Sequence, residues 1–434
     1  MKKIALAALL CCLSAGLTAC FSLQPEQEPE PVNSSVADVE TEEQESVESS
    51  EDETLELPAI LSLSRIFDKK YEWSEDVCIL YSAYSNITLW ENGEQYGELD
   101  STLSELKNMQ TRTMEEERDT MLSFTNEMMD IHSESFETQV SILDMQVRRA
   151  DSVAVSFLSA TYEDYGFIED FKGMWGTTYD TRTGEALMLS DVITDMNAVP
   201  AIVVQELNKH IWAGDDYSEA VVEEYFKNTP EDSISWTLDY NGVTFYFGDG
   251  DLNEPGDGRL TATVSFAEHP ELFDAKYTVV PESYMVRLPL DHSFFTDLNG
   301  DGGLEEVNCS GYYNSDADSF TKFGIYTDTN GSYHYEDITA DGFQPYYVKT
   351  GDENHYLYVF CEDSESLQMK LVVYNLNEGA VSRVGEMNVS PAYIPSDTYV
   401  LPLDPKQMLL DNFDSMAQDA EYYEVGPDGM PVKK

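Results

Sequence analysis

The stretch of this 434-residue chain best suited to chemistry is DLNGDGGLEE, residues 297–306. Oxygen-bearing side chains alternate at Asp297, Asn299 and Asp301, and Gly302 follows where the chain must turn sharply. Such alternation points hard ligands into one concavity, and calcium gathers about six to eight oxygens. With the Gly303 carbonyl and the Glu305 carboxylate completing the shell, the spacing predicts a calcium site at Asp297, Asn299, Asp301, Gly303 and Glu305. It is not an EF-hand, because Asn308 stands where that loop ends in glutamate. The plainer alternative is a solvated Asp/Gly turn between strands. A second acidic loop, GDGDLNEPGDG at 248–258, alternates Asp249, Asp251 and Asn253 but places Glu254 where glycine should turn the chain. It is the weaker metal candidate.

Catalytic spacings are missing from the sequence. His132, His210, His269, His292, His334 and His355 form no HxxH or HExxH pattern. There is no GxSxG elbow, and the SxxK at Ser319–Lys322 lacks its SDN and KTG companions. Acidic pairs are too numerous for one to stand out, so no catalytic residue is expected. Cys78, Cys309 and Cys361 are an odd set with no CxxC spacing. Buried thiols are expected at Cys309 and Cys361, with a single bridge between them as the alternative.

A targeting signal opens the chain. Lys2 and Lys3 precede an apolar run from Ile4 to Ala19, and Leu17, Thr18 and Ala19 lead into Cys20. The run is too short to span a bilayer, which takes about 20 residues. Its end resembles the lipobox of bacterial lipoproteins, so residues 1–20 read as a lipoprotein signal, with Cys20 lipidated and the protein anchored on the extracytoplasmic face of the cell membrane. Residues 21–57 follow with thirteen acids between Ser22 and Leu57, three prolines and no Lys or Arg. Too little apolar surface is available there to offset the entropy of ordering, which predicts a disordered acidic stalk.

The chain carries a formal charge of −59, and residues 58–434 hold 70 acidic against 22 basic side chains. Nucleic acid is excluded as a partner. Cationic proteins, peptides and metal ions are drawn to such a surface. A 42% hydrophobic, 12% aromatic composition is enough for several packed cores.

The elements that must position these residues follow from periodicity. A strand at 77–90 and a turn at 91–97 lead into a helix over about 100–130, its apolar side marked by Leu103, Leu106, Met109, Met114, Met121, Leu122, Phe124 and Met128. Strands follow at 136–147 and 152–162, joined by a turn at Arg148 to Asp151. The motif WGTTYDTRTGEALMLSDVI at 175–193 reads as strand, turn, short strand and helix start. Helices at 197–213 and 217–228 precede a hairpin at 234–247 turning at Asn241-Gly242, then a strand at 260–266. Beyond 285, short strands recur at 307–313, 322–328, 333–338, 346–349, 355–361, 369–374 and 380–387, and a hairpin-like tail closes the chain. The expectation is an α+β fold: a two-module region of mixed sheets and helices, then an all-β C-terminal domain, with a partial propeller as one arrangement.

The order YDTRTGEALMLSDVI, two helices, SWTLDYNGVTFYFG and RLTATVSF resembles the DUF3298-like module found in a lysozyme-sensing anti-sigma factor and in certain peptidoglycan deacetylases. Asp180, Thr183, Gly184, Leu189 and Asp191 carry that likeness. The preceding strand, helix and strand pair is similar to the DUF4163-like companion module. Gly173, Met174, Trp175 and Gly176 stand where the family often has a Gly-Gly-x-His-Gly stretch. The sequence carries neither the anti-sigma helices nor the deacetylase catalytic domain. The resemblance implies modules at 58–162 and 163–285, ahead of the β domain at 286–434. It also implies non-catalytic recognition at the cell surface, of a peptidoglycan fragment or other wall-associated ligand, or of a cationic protein such as lysozyme, with the contact expected on residues 65–280 and not on the β domain. The alternative is an accessory protein or enzyme of cell-wall glycan modification.

Overall fold

Long strands build the first layer. In the computed structural model the described residues are 56–74, 77–91, 93–132, 138–164, 171–209, 217–252, 259–314, 317, 319–329, 331–363, 368–394, 398–411 and 420–434. The signal, Cys20, the acidic stretch to residue 55, His210 and Asn253 lie outside them.

A seven-stranded sheet runs in the spatial order Tyr393–Ile394, Thr398–Val400, Leu63–Ser74, Val77–Leu89, Gln139–Ala150, Ala154–Asp164 and Phe171–Asp180. Val77–Leu89 and Gln139–Ala150 pair in parallel, and the helix Gly97–His132 makes the crossover such a pair requires. Leu99, Leu103, Met114 and Met121 form its buried stripe, close to a helical period, against Tyr84, Ile87 and Leu143 of the sheet.

A three-stranded sheet of Trp236–Leu238, Gly242–Phe247 and Leu260–Ser265 is covered by the helices Val199–Lys209 and Glu219–Asn228, the latter capped by Ser218. Val203, Val222, Phe245 and Val264 are fully buried in the core between them. Arg148 and Arg149 join this part to the larger sheet. The Arg148 guanidinium makes a two-point contact with Asp239 at 3.3 and 2.7 Å, and Arg149 donates to Asp151 at 2.8 Å and to the carbonyls of Tyr277 and Val279. The turn predicted at Arg148 to Asp151 is therefore corrected: the strand continues to Ala150 through a register shift, because buried carboxylates hold both arginines inside.

The remaining sheets are antiparallel and stacked. A four-stranded sheet (Ser293–Thr296, Glu305–Asn314, Ser319–Thr327, Ser332–Glu336) packs on a five-stranded one (Tyr284–Arg287, Gly342–Lys349, His355–Asp363, Gln368–Asn375, Ser382–Met387). The other face of the five-stranded sheet packs on a second four-stranded sheet (Ser390–Pro391, Met408–Asp411, Glu421–Val425, Pro431–Lys433). Burial on both faces explains the unbroken apolar run from Tyr356 to Cys361: Leu357, Val359 and Cys361 enter one core, and Tyr356, Tyr358 and Phe360 the other. Cys309 and Cys361 are buried free thiols, and burial pushes the Cys361 thiol up to about 12. The fold is α+β with a large all-β portion. Leu57–Lys434 forms one compact unit.

Candidate functional site

The predicted metal loop lies in the hairpin between Ser293–Thr296 and Glu305–Asn314, where Thr296 pairs with Glu305. Leu298, 2% exposed, anchors the loop in the core, and Gly300 and Gly302 take positive φ. The Asp297 carboxylate accepts N–H bonds from Gly300 at 2.6 Å and Gly302 at 3.0 Å. Asn299 Oδ1 accepts from Asp301 N–H, and Asp301 from Gly303 N–H, each at 2.8 Å. Glu305 closes the loop by accepting from Leu298 N–H and from the Asn299 amide, both at 2.7 Å. Burial, then the like charges of Asp297, Asp301 and Asp328, hold the Glu305 carboxyl above its usual range, against the Leu298 hydrogen bond. Asp297, Asn299, Asp301, Gly303 and Glu305 thus share one loop, with the carboxylates turned to the loop's own donors. Among the described residues, no three His, Cys, Asp or Glu side chains stand in a metal-holding cluster. In the weaker loop, Asp251 closes a turn by accepting from Gly248 N–H at 2.6 Å.

The residues that carry the family likeness make a rigid corner. Asp180 accepts from the N–H groups of Arg182 and Thr183 at 2.9 and 3.1 Å and pairs with Lys276 at 2.5 Å. Gly184, at φ +67°, sits so close to the long helix that a Cβ would lie 2.7 Å from the Glu98 carbonyl, and its own carbonyl accepts from the Thr102 hydroxyl at 3.0 Å. Asp191 accepts from Met188 N–H at the start of the helix Leu189–Val192, where Leu189 is buried. The spacing is that of an Asx turn followed by a helix cap, which fixes the helix to the sheet.

Other polar groups are also absorbed by structure. His355 is buried, 2.6 Å from the Tyr347 hydroxyl, and burial with nearby Lys349 lowers its pKa. Lys322 of the SxxK motif places its ammonium 5.8 Å above the Tyr335 ring. Burial works against ionisation of Asp144, yet Arg287 and Arg65, at 2.9 and 3.0 Å, outweigh it and hold that carboxyl well below the usual range.

One surface feature escaped the sequence reading. On the first four-stranded sheet, Val307, Cys309, Phe323 and Ile325 point into the core, so the residues alternating with them point outward. Tyr312, Tyr333 and Tyr335 are 41%, 46% and 49% exposed on that outer side. Tyr333 and Tyr335 are parallel within 5° at 5.6 Å, Tyr312 meets Tyr335 edge-on, and buried Tyr326 supports Tyr333 at 4.8 Å. A Cβ on Gly324 would approach the Tyr312 and Tyr335 rings at 3.1 and 3.2 Å, so both rings reach over bare backbone there. A hydrogen bond between the two phenols, with some burial, pushes the Tyr312 hydroxyl up to about 12. The period-2 tyrosines at 333 and 335 were the available signal.

No family model matches the chain, and no curated protein does. Two solved structures are similar to part of it. A DUF3298 family member from Bacteroides fragilis is 12% identical, with a TM-score of 0.37, over 52% of this chain and 98% of that one. A DUF3298 family protein from Pseudomonas aeruginosa is 14% identical, with a TM-score of 0.36, over 51% and 97%. The chain is thus similar to DUF3298 family structures over about half of its length.

Proposed function

We propose that this chain is a non-catalytic surface protein, held by a lipid on Cys20, that recognises a wall-associated ligand or a cationic protein outside the cell. The observation that carries this reading is the tyrosine face, which moves the proposed contact from residues 65–280 to the β domain. Its rings are exposed on a sheet whose other side is locked into a core, and tyrosine gives large, stiff, amphipathic contact area at low entropic cost. The charge of −59 favours the cationic-protein branch, lysozyme included, by steering such a partner inward.

Within this reading calcium would act as a brace. Asp297, Asn299, Asp301 and Glu305 would hold it with the Gly303 carbonyl, and the like-charge crowding on Glu305 is what a divalent cation relieves.

The test uses the unit Leu57–Lys434 at about 0.15 M salt, where the Debye length is about 8 Å. Purified peptidoglycan fragments, lysozyme and an equally basic unrelated protein are titrated in parallel. Saturable binding of the fragments, or of lysozyme well above its basic control, is expected. Equal or absent binding throughout rejects recognition, and new reducing ends or released acetate from the fragments would instead favour an enzyme of glycan modification. For the anchor, Cys20→Ala is expected to lose detergent-phase partitioning in cells, and unchanged partitioning would reject it.

A further inference from the structure

The occupant of the tyrosine face can be narrowed by its chemistry, an inference that rests on the recognition reading above. We infer that the outer face of the sheet formed by residues 293–336 binds a neutral, hydroxyl-rich glycan chain, laid across Tyr312, Gly324, Tyr333 and Tyr335.

Shape comes first. Gly324 lets the Tyr312 and Tyr335 rings reach over the strand, Tyr333 is stacked on Tyr335, and Tyr312 stands at 72° to Tyr335, giving an exposed aromatic ridge in place of a cleft. An aromatic ring has a negative face, and the C–H bonds on the flat side of a sugar ring carry partial positive charge. A sugar therefore stacks on such a ring while its equatorial hydroxyls remain free for hydrogen bonds. The neighbouring outward residues meet that need: Ser310 pairs with Gly324 in the ladder, and Asn308 pairs with Tyr326. Both are short, half-buried and polar.

Charge then separates the possible occupants. The chain has 83 acidic and 24 basic side chains, yet the outward residues described between Tyr312 and Tyr333 are uncharged apart from Lys322. Among the described residues, the carboxylates that act on this face are Asp291 on Tyr312 and Glu306 and Asp328 on Tyr326. A cationic partner would seek those acids and bypass the rings. An anionic polymer would be repelled by the whole molecule. An uncharged polymer matches a ring-lined centre whose one described charge, Lys322, is set over the Tyr335 ring.

The experiment is co-sedimentation of the unit Leu57–Lys434 with insoluble chitin, with cellulose and with purified peptidoglycan, at about 0.15 M and about 0.5 M salt. At least one of the three should deplete the protein equally at both salts. Tyr333→Ala with Tyr335→Ala should lower affinity tenfold or more, and Tyr333→Phe with Tyr335→Phe should keep most of it. Should the alanine pair lower the melting temperature, Ser310→Gln supplies a second variant, placing a long side chain over Gly324 without removing a ring, and it too should lose binding. No depletion by any polymer overturns the inference, as does binding that survives both the alanine pair and Ser310→Gln. In the latter case recognition stands on another face; only when peptidoglycan fragments and lysozyme also fail to bind does the broader reading fall.

Discussion

Between the two helix-bearing sheets, contact is made by charge: Arg148 on Asp239, with Arg149, itself paired to Asp151 in its own sheet, donating across to the Tyr277 and Val279 carbonyls, all four charged side chains 5% exposed or less. Thr237 and Thr244 also donate to Asp239, so each carboxylate oxygen is occupied. Between the stacked β sheets, contact is made by apolar stripes from Leu357, Val359 and Cys361 on one side and Tyr358 and Phe360 on the other. Both solutions fill a core. They fail differently, because a buried ion pair depends on named partners, whereas an apolar interface tolerates exchange of shape for shape.

The sharpest way to break the comparison is to remove one member of a pair. Asp239→Ala leaves the Arg148 charge buried and should cost about 3–5 kcal/mol in urea unfolding. Replacing both, as Arg148→Met with Asp239→Leu, should recover most of that loss, and failure to recover would mean that the pair has no apolar substitute here. In the stack, Leu357→Ala should cost about 2–5 kcal/mol through the cavity it leaves, while Leu357→Met should cost less than about 1.5 kcal/mol.

Calcium offers a third, smaller contrast, since it would brace the stack alone. At about a hundredfold excess over its dissociation constant it should add about 2.7 kcal/mol, read as a rise in melting temperature that Asp301→Ala abolishes. No rise in the unaltered protein would leave residues 297–305 as a plain turn.

The smallest effect belongs to the helix-bearing region and to pH. Burial, with Glu163 adding a like charge, pushes the Glu117 carboxyl up to about 7 from 4.5. The folded state then holds this proton more tightly than the unfolded state, so stability falls as pH rises from 4.5 to about 7. Glu117→Gln should gain about 1 kcal/mol at pH 8, after allowing for partial solvent screening, and nothing near pH 4. Denaturation midpoints at the two values decide it.

The same contrast explains what was legible in the sequence. Strands from Val307 to Met387 could be read because their alternation and turn residues are local, and the helix Gly97–His132 because its stripe repeats over many turns. The strand Leu63–Ser74 was not read: Asp68, Lys69, Lys70 and Glu72 interrupt its pattern, and it is held by ladders on both sides. Arg148 and Arg149 read as a turn because nothing nearby shows that Asp239 would reach one of them from 91 positions away. Of the site, the acidic loop was visible as a motif. The tyrosine face was not, because three strands contribute to it and the close approach of its rings depends on Gly324, which has no side chain to notice.

The pairing of Thr398–Val400 with Leu63–Ser74 also sets an order of events. Leu401 N–H reaches the Leu63 carbonyl at 2.9 Å, and Leu403 accepts from Met285 at the same distance. A chain made from its N-terminus cannot complete this edge until more than 300 further residues have appeared. The first long strand must wait with one side open. Contacts of such separation are slow to form, and an open strand edge is where chains join wrongly. The interval between making residue 74 and residue 398 is therefore the vulnerable period in this protein's life, and its dense negative charge is well placed to keep neighbouring copies apart during it.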